Sequence, residues 1–246
     1  MSSVYLACTR HTGRLCVLKT LAMVDGTDTE EWHSDALACL RQEADLLQRV
    51  DHPNIVRLLH RVCNAAGEFL VLEYVPGLNL EQYLTRPDGQ GGALPHAEAL
   101  AHGITIARVL EYFATLQPPV VHHDIKPSNV IIRPDDGRLV LVDFGSALVL
   151  PSDTAHTIRL HRYGTPGYAA PEQYGGESGP RSDVYGLAAT LYHLLTDDDP
   201  GEHPLHFPAL ASLPPQVARV LEPALDPDPA ARPDARQMRV ALERVV

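Results

Sequence analysis

Short apolar stretches rich in strand-favouring residues occupy Ser3–Thr9 and Leu15–Leu21. The polar Arg10-His11-Thr12-Gly13-Arg14 between them predicts a β-hairpin. The period then changes: Leu37, Leu40, Ala44 and Leu47 recur at steps of three and four within Asp35–Val50, the stripe of an amphipathic helix, with Glu43 at its edge. Asp51-His52-Pro53-Asn54 ends that helix, and Ile55–Val62 and Phe69–Val75 read as two strands around a polar Asn-Ala-Ala-Gly turn. After Pro76-Gly77 the texture becomes helical. Leu100–Leu116 and Asp183–Thr196 carry long helical patterns, Thr85–Gly92 reads as a surface loop, and Leu139–Val142 as a strand. Prolines from Pro200 to Pro233 punctuate short helices before a last one at Asp234–Val246. A β-rich first part to about Val75, then a mostly helical second part, places the chain in the α+β class.

Composition narrows this picture. With 246 residues, 45% of them hydrophobic, the chain can bury a sizeable core. A formal charge of -11 disfavours generic attraction to nucleic-acid phosphates, so no nucleic-acid partner is expected. Cys8, Cys16, Cys39 and Cys63 form no C-x-x-C pair and read as buried free thiols of a reducing compartment. Neither a leader segment nor an apolar run near the roughly 18 residues of a spanning helix is evident, so a soluble cytoplasmic protein is expected.

Chemistry enters at Val121–Val130, VHHDIKPSNV, where Asp124, Lys126 and Asn129 lie close together, with Asp143-Phe144-Gly145 downstream. An aspartate can accept a hydroxyl proton, a lysine can steady a phosphate, and an Asn with a second Asp can hold Mg²⁺: these are the parts of phosphoryl transfer. Asp143 follows the apolar run Leu139–Val142, so it opens a loop at a strand end, where ligand-binding residues tend to sit. Lys19, on the second strand of the hairpin, is a natural partner for Glu43. A carboxylate at the edge of an apolar face is costly to bury alone, and an ammonium offsets that cost.

His122-His123-Asp124 to Asn129, Asp143-Phe144-Gly145 and Ala170-Pro171-Glu172, with Val17-Leu18-Lys19 upstream, resemble a protein Ser/Thr kinase domain of the bacterial, eukaryotic-like type. The resemblance implies one bilobal domain over residues 1–246, with a small β-rich lobe over 1–75, a hinge at about 73–79 and a helical lobe over 80–246. ATP and Mg²⁺ would lie between the lobes. Asp124 would be the catalytic base, Lys126 would neutralise the moving γ-phosphoryl group, and Lys19, paired with Glu43, would contact the phosphates. Asn129 and Asp143 would hold the metal. Val4 and Val17 would roof the adenine, Ile131 would floor it, and Leu72 would guard a hinge at Glu73-Tyr74-Val75. Thr165, in a segment Gly164–Glu172 that would hold a Ser/Thr-containing protein substrate, would bond Asp124 and Lys126. Glu172 would pair with Arg232, and Asp183 would brace the catalytic loop while capping its helix. Leu47, Leu58, Phe144 and His122 would stack as an internal spine.

The resemblance departs at two places. Met1-Ser2-Ser3-Val4 aligns only with the last positions of the phosphate-covering G-x-G-x-x-G-x-V loop, with Ser2 where its third glycine stands. Weakened nucleotide affinity, an exposed sheet edge at Val4–Leu6 and a natural start upstream of Met1 are the expectations that follow. His123 replaces the usual arginine beside the base. An imidazole there is mostly neutral, so loop phosphorylation at Thr154 or Thr157, with Arg159, His161 and Arg162 as phosphate partners, is expected to matter less. Two rival readings are a pseudokinase scaffold and a small-molecule kinase. Intact ion-handling residues disfavour the first, and the segment around Thr165 disfavours the second.

Overall fold

The computed structural model describes residues 2–21, 30–65, 67–86, 91–150 and 164–246. The predicted hairpin forms as β1 (Ser2–Cys8) and β2 (Leu15–Leu21), in register from Ser2 opposite Leu21 to Cys8 opposite Leu15. The amphipathic helix α1 (Glu30–Arg49) starts earlier than its apolar stripe, which begins at Leu37 and so could not announce the first turn. Ala36, Leu40, Ala44 and Leu47 bury its inner face. Strands β3 (Leu58–Asn64) and β4 (Gly67–Glu73) complete a sheet ordered β1-β2-β4-β3. Ile55 and Val56 are apolar for another reason than the strand predicted over them. Ile55 bridges Leu141 in parallel, and Val56 N–H donates to the Leu141 carbonyl at 3.0 Å, so this pair stitches the two parts of the molecule together.

The second part is mainly helical: α2 (Leu80–Leu84), α3 (His96–Thr115), α4 (Pro171–Tyr174), α5 (Pro180–Thr196), α6 (Pro215–Ala224) and α7 (Ala235–Glu243). Short strands accompany them among the described residues: β5 (Leu78–Asn79), β6 (Val120–Val121), β7 (Val130–Ile132), β8 (Leu139–Leu141) and β9 (Leu148–Val149). They pair as β5-β7-β8 and β6-β9. Only β8 was foreseen, because strands this short are too brief to show a period of two. Helix α5 is buried on every side from Ser182 to Leu195, and one apolar core runs from Leu40 on α1 through α3 and α5 to Leu242 on α7. Asp234 caps α7 reciprocally with Gln237, accepting its N–H at 2.7 Å while Gln237 Oε1 accepts that of Asp234 at 2.9 Å.

Two expectations need adjustment. Asp183 does not cap α5, since the helix begins at Pro180 after Gly179 and places Asp183 inside its first turn. All four cysteines are free, but only Cys16 is buried; Cys8 and Cys63 are exposed. The edge strand is as open as anticipated, with Val4, Tyr5 and Leu6 all exposed. Thr154, Thr157, Arg159, His161, Arg162 and Met1, and part of the Thr85–Gly92 loop, lie outside the described residues. No described helix is long and apolar enough to cross a membrane.

Candidate active site

Antiparallel register puts Lys19 on β2 between Val4 and Leu70, facing α1. Its Nζ lies 2.8 Å from both carboxylate oxygens of Glu43, which is 2% exposed, and 2.6 Å from Asp143 Oδ1. Burial alone would lower the Lys19 pKa, yet the two carboxylates raise it, so the ammonium is secure. Burial pushes Glu43 up, and Lys19 pulls it only part of the way back. Asp143 also feels desolvation, but Lys19 reverses this and leaves it lowered. Asp143 has φ 61, and the following Gly145 leaves room for the trio: a Cβ there would stand 3.1 Å from Lys19 Nζ and 3.2 Å from Asp143 Oδ1.

The loop after β6 is fixed from below. Asp183 Oδ2 accepts the His122 N–H and Oδ1 that of His123, each at 2.7 Å. Burial pushes this carboxyl up to about 7 against those two donors. His122 is fully buried, edge-on to Phe144 at 4.8 Å, and Phe144 is in turn edge-on to Phe113 at 6.0 Å. Leu47 and the partly buried Leu58 belong to the same core as Phe144, and burial holds His122 down to about 4.

Above this base, Asp124 is the centre of a compact network. Its Oδ1 accepts the Thr165 hydroxyl at 2.6 Å, and its Oδ2 meets Lys126 Nζ at 2.8 Å and Asn129 Nδ2 at 2.9 Å. Lys126 Nζ also donates to Thr165 Oγ1 at 2.6 Å. Thr165 therefore ties the Gly164–Glu172 segment to both charged groups of the loop. Glu172 is anchored bidentately by Arg232, with both N–O distances 2.7 Å, and Arg232 is itself buried. The amide nitrogen of Asn129 donates to Asp124, at 2.8 Å to its carbonyl and 2.9 Å to its Oδ2, so its Oδ1 is the atom of this side chain suited to a metal. With the Asp143 carboxylate it offers hard oxygen donors, a set that suits Mg²⁺ shared with phosphates rather than a cage built wholly from protein.

Beside this network opens a cavity of about 300 Å³ that brings together Val4, Val17, Lys19, Leu72, Glu73, Val75 and Ile131, every apolar and hinge position expected there. Val56 and Val142 also line it and were missed. Val56 was assigned to a strand and Val142 to the run before Asp143, so neither was read for its place beside a cleft. Gly77, at φ +128, packs so tightly that a Cβ would lie 1.9 Å from the Ile132 carbonyl oxygen, which fastens the connection between the two parts to the cavity floor. A second cavity of about 300 Å³, lined by Ser2, Cys39, Glu43 and Ser146 among others, adjoins the first at Lys19 and Asp143.

Residues 1–240 match a family described as "Protein kinase domain". Among curated relatives, serine/threonine-protein kinase B of Synechocystis sp. is 34% identical over 196 residues, covering 76% of this chain and 33% of that protein. Serine/threonine-protein kinase PknF of Mycobacterium tuberculosis is 34% identical over 212 residues, covering 82% of this chain and 42% of that protein. A probable serine/threonine-protein kinase of Clostridium perfringens is 30% identical over 198 residues, covering 80% and 27%. The chain thus spans about a third of the length of these relatives.

Proposed function

The chain belongs to the protein kinase domain family, and from that premise we propose that it transfers the γ-phosphoryl group of ATP to Ser or Thr hydroxyls of a protein, with Mg²⁺ as cofactor. The observation that carries this reading is the triangle of Asp124, Lys126 and Thr165, in which a hydroxyl on the proposed peptide-holding segment lies 2.6 Å from both charged groups. In the transfer, Asp124 orients the incoming hydroxyl and takes its proton as the oxygen bonds to phosphorus and the bond to ADP breaks. Lys126 balances charge on the equatorial oxygens. Lys19 keeps Glu43 and exchanges Asp143 for phosphate oxygens. Asn129 and Asp143 would hold Mg²⁺, which neutralises the phosphates when bound. The apolar cavity takes the adenine, with Glu73 and Val75 supplying hinge backbone.

The match over residues 1–240 fits a single domain whose lobes meet near 73–79. Free thiols and an ATP requirement suit the cytoplasm, and the net charge of -11 offers nucleic acid no general foothold. A scaffold without transfer is the competing reading, disfavoured because Lys19, Glu43, Asp124, Lys126, Asn129 and Asp143 are all engaged in the two networks. Incorporation of labelled phosphate into the chain itself or into a generic protein acceptor, dependent on Mg²⁺ and lost in Asp124→Ala, is expected. No incorporation at saturating ATP would sink the proposal.

A further inference from the structure

His123 stands next to the proposed base, yet its ring is turned away from the transfer. The residue is 6% exposed, has φ 70, and presents its two ring nitrogens to two different segments. Nδ1 lies 3.0 Å from the Ser146 carbonyl oxygen, just beyond Asp143-Phe144-Gly145. A carbonyl only accepts, so Nδ1 carries the hydrogen, while Nε2 meets the hydroxyl of Ser178, just beyond α4. The backbone of His123 is held too: its carbonyl accepts Gln173 Nε2 at 3.0 Å. From Ser178 the contacts continue to Ser182 at 3.4 Å, and Ser182 donates to Glu172, the partner of Arg232, at 2.6 Å.

We infer that His123 is a positioning residue, whose neutral Nδ1–H imidazole ties the backbone at Ser146 and the turn at Ser178 to the catalytic loop and so holds Asp124 in register. Geometry sets the requirement on the ring. The carbonyl at Nδ1 excludes the tautomer protonated only at Nε2, and the hydroxyl at Nε2 accepts or donates to suit the charge of the ring, which its burial keeps neutral. Asp124 and Glu172 favour the charged form, but burial outweighs them and holds the ring down to about 4. A phenylalanine would fill the space and offer neither bond, leaving the Ser146 carbonyl and the Ser178 hydroxyl to find other partners.

The kinetic part of the test rests on the transfer activity proposed above; the spectroscopic part does not. Nitrogen NMR of the whole chain labelled in histidine, with the His123 signal identified by its loss in His123→Phe, is expected to show at pH 7 a neutral ring protonated at Nδ1. Ser178→Ala should move the Nε2 resonance. Both variants should lower kcat about tenfold or more while the KM for ATP stays within about twofold, since the tie orients the base rather than the nucleotide. A ring protonated at Nε2, a charged ring at pH 7, or unchanged kcat in both variants would overturn the inference. If His123→Phe fails to fold, the resonance that Ser178→Ala moves identifies the ring in the parent spectrum, and these two still decide. Parent protein with no transfer activity would refute the kinase reading, and the tautomer would then judge the tie alone.

Discussion

Lys19→Met removes the ammonium from between two carboxylates while nearly keeping the side chain's volume. Glu43, 2% exposed, then retains the backbone hydrogen bond from Phe144 but loses the lysine whose charge pulls its pKa back. Leaving a carboxylate buried without its partner costs about 3–5 kcal/mol. Protonation sets a ceiling on that cost: neutralising a carboxyl with an ordinary pKa of 4.5 costs about 4 kcal/mol at pH 7.5 and about 1.4 kcal/mol at pH 5.5. The sign follows from a folded-state pKa raised above the unfolded one, which contributes stability below pH 4.5 that is lost as pH rises toward the folded value. The stability gap between parent and variant should therefore narrow by up to about 2.7 kcal/mol between pH 7.5 and pH 5.5. His122, His123 and Asp183 are present in both proteins and cancel from the difference to first order. Asp143, with its side chain 53% exposed, hydrates when released and adds little. Urea unfolding at pH 7.5, 6.5 and 5.5 measures the gap. A gap that stays constant or widens toward pH 5.5 would mean that Glu43 remains ionised without Lys19, and the account of the pair would be wrong.

Asp124→Asn preserves the shape of the central network but cannot take a proton, so kcat should fall about 10²–10⁴-fold with little change in melting temperature, checked by labelled transfer and calorimetry together. Thr165→Val cuts the tie from the substrate segment to both Asp124 and Lys126. A kcat loss of about tenfold at constant KM for ATP is expected in steady-state kinetics, and a raised KM for ATP with normal kcat would refute the role. Glu172→Gln strands the buried Arg232 guanidinium, and denaturant titration should show about 3–5 kcal/mol of lost stability.

How far the chain could be read in advance depended on whether a feature was written locally. The hairpin, the stripe of α1 and the spacing from Asp124 to Asn129 are local, and each stands where it was expected. Features that depend on distant contacts were not legible. Ile55 and Val56 looked like the start of β3 because apolar residues that cross between lobes have the same appearance as those in a sheet. Asp183 looked like a cap, whereas Pro180, a residue favoured in the first helical position, marked the true start one turn earlier. Phe144 and His122 were expected to stack, but nothing local to His123 could show that its ring would meet Ser146 and Ser178.

The buried polar residues also separate stability from chemistry. Lys19 with Glu43, Asp183 beneath the loop, and Arg232, which grips the partly exposed Glu172, are shielded from water, and such groups add little net stability compared with apolar residues of equal size. What they provide is geometry: each holds a backbone turn or a helix in one place, so its loss disturbs folding and transfer together. Asp124 and Lys126 are different. Their side chains stay 14% and 21% exposed, and each contacts other members of the small network that includes Thr165 and Asn129. A change at Asp124 should therefore abolish transfer at little cost in folding, while a change at Asp183 should cost both. If Asp124→Asn proved as destabilising as the loss of Glu172, the division between a rigid buried frame and a lightly loaded reactive centre would fail.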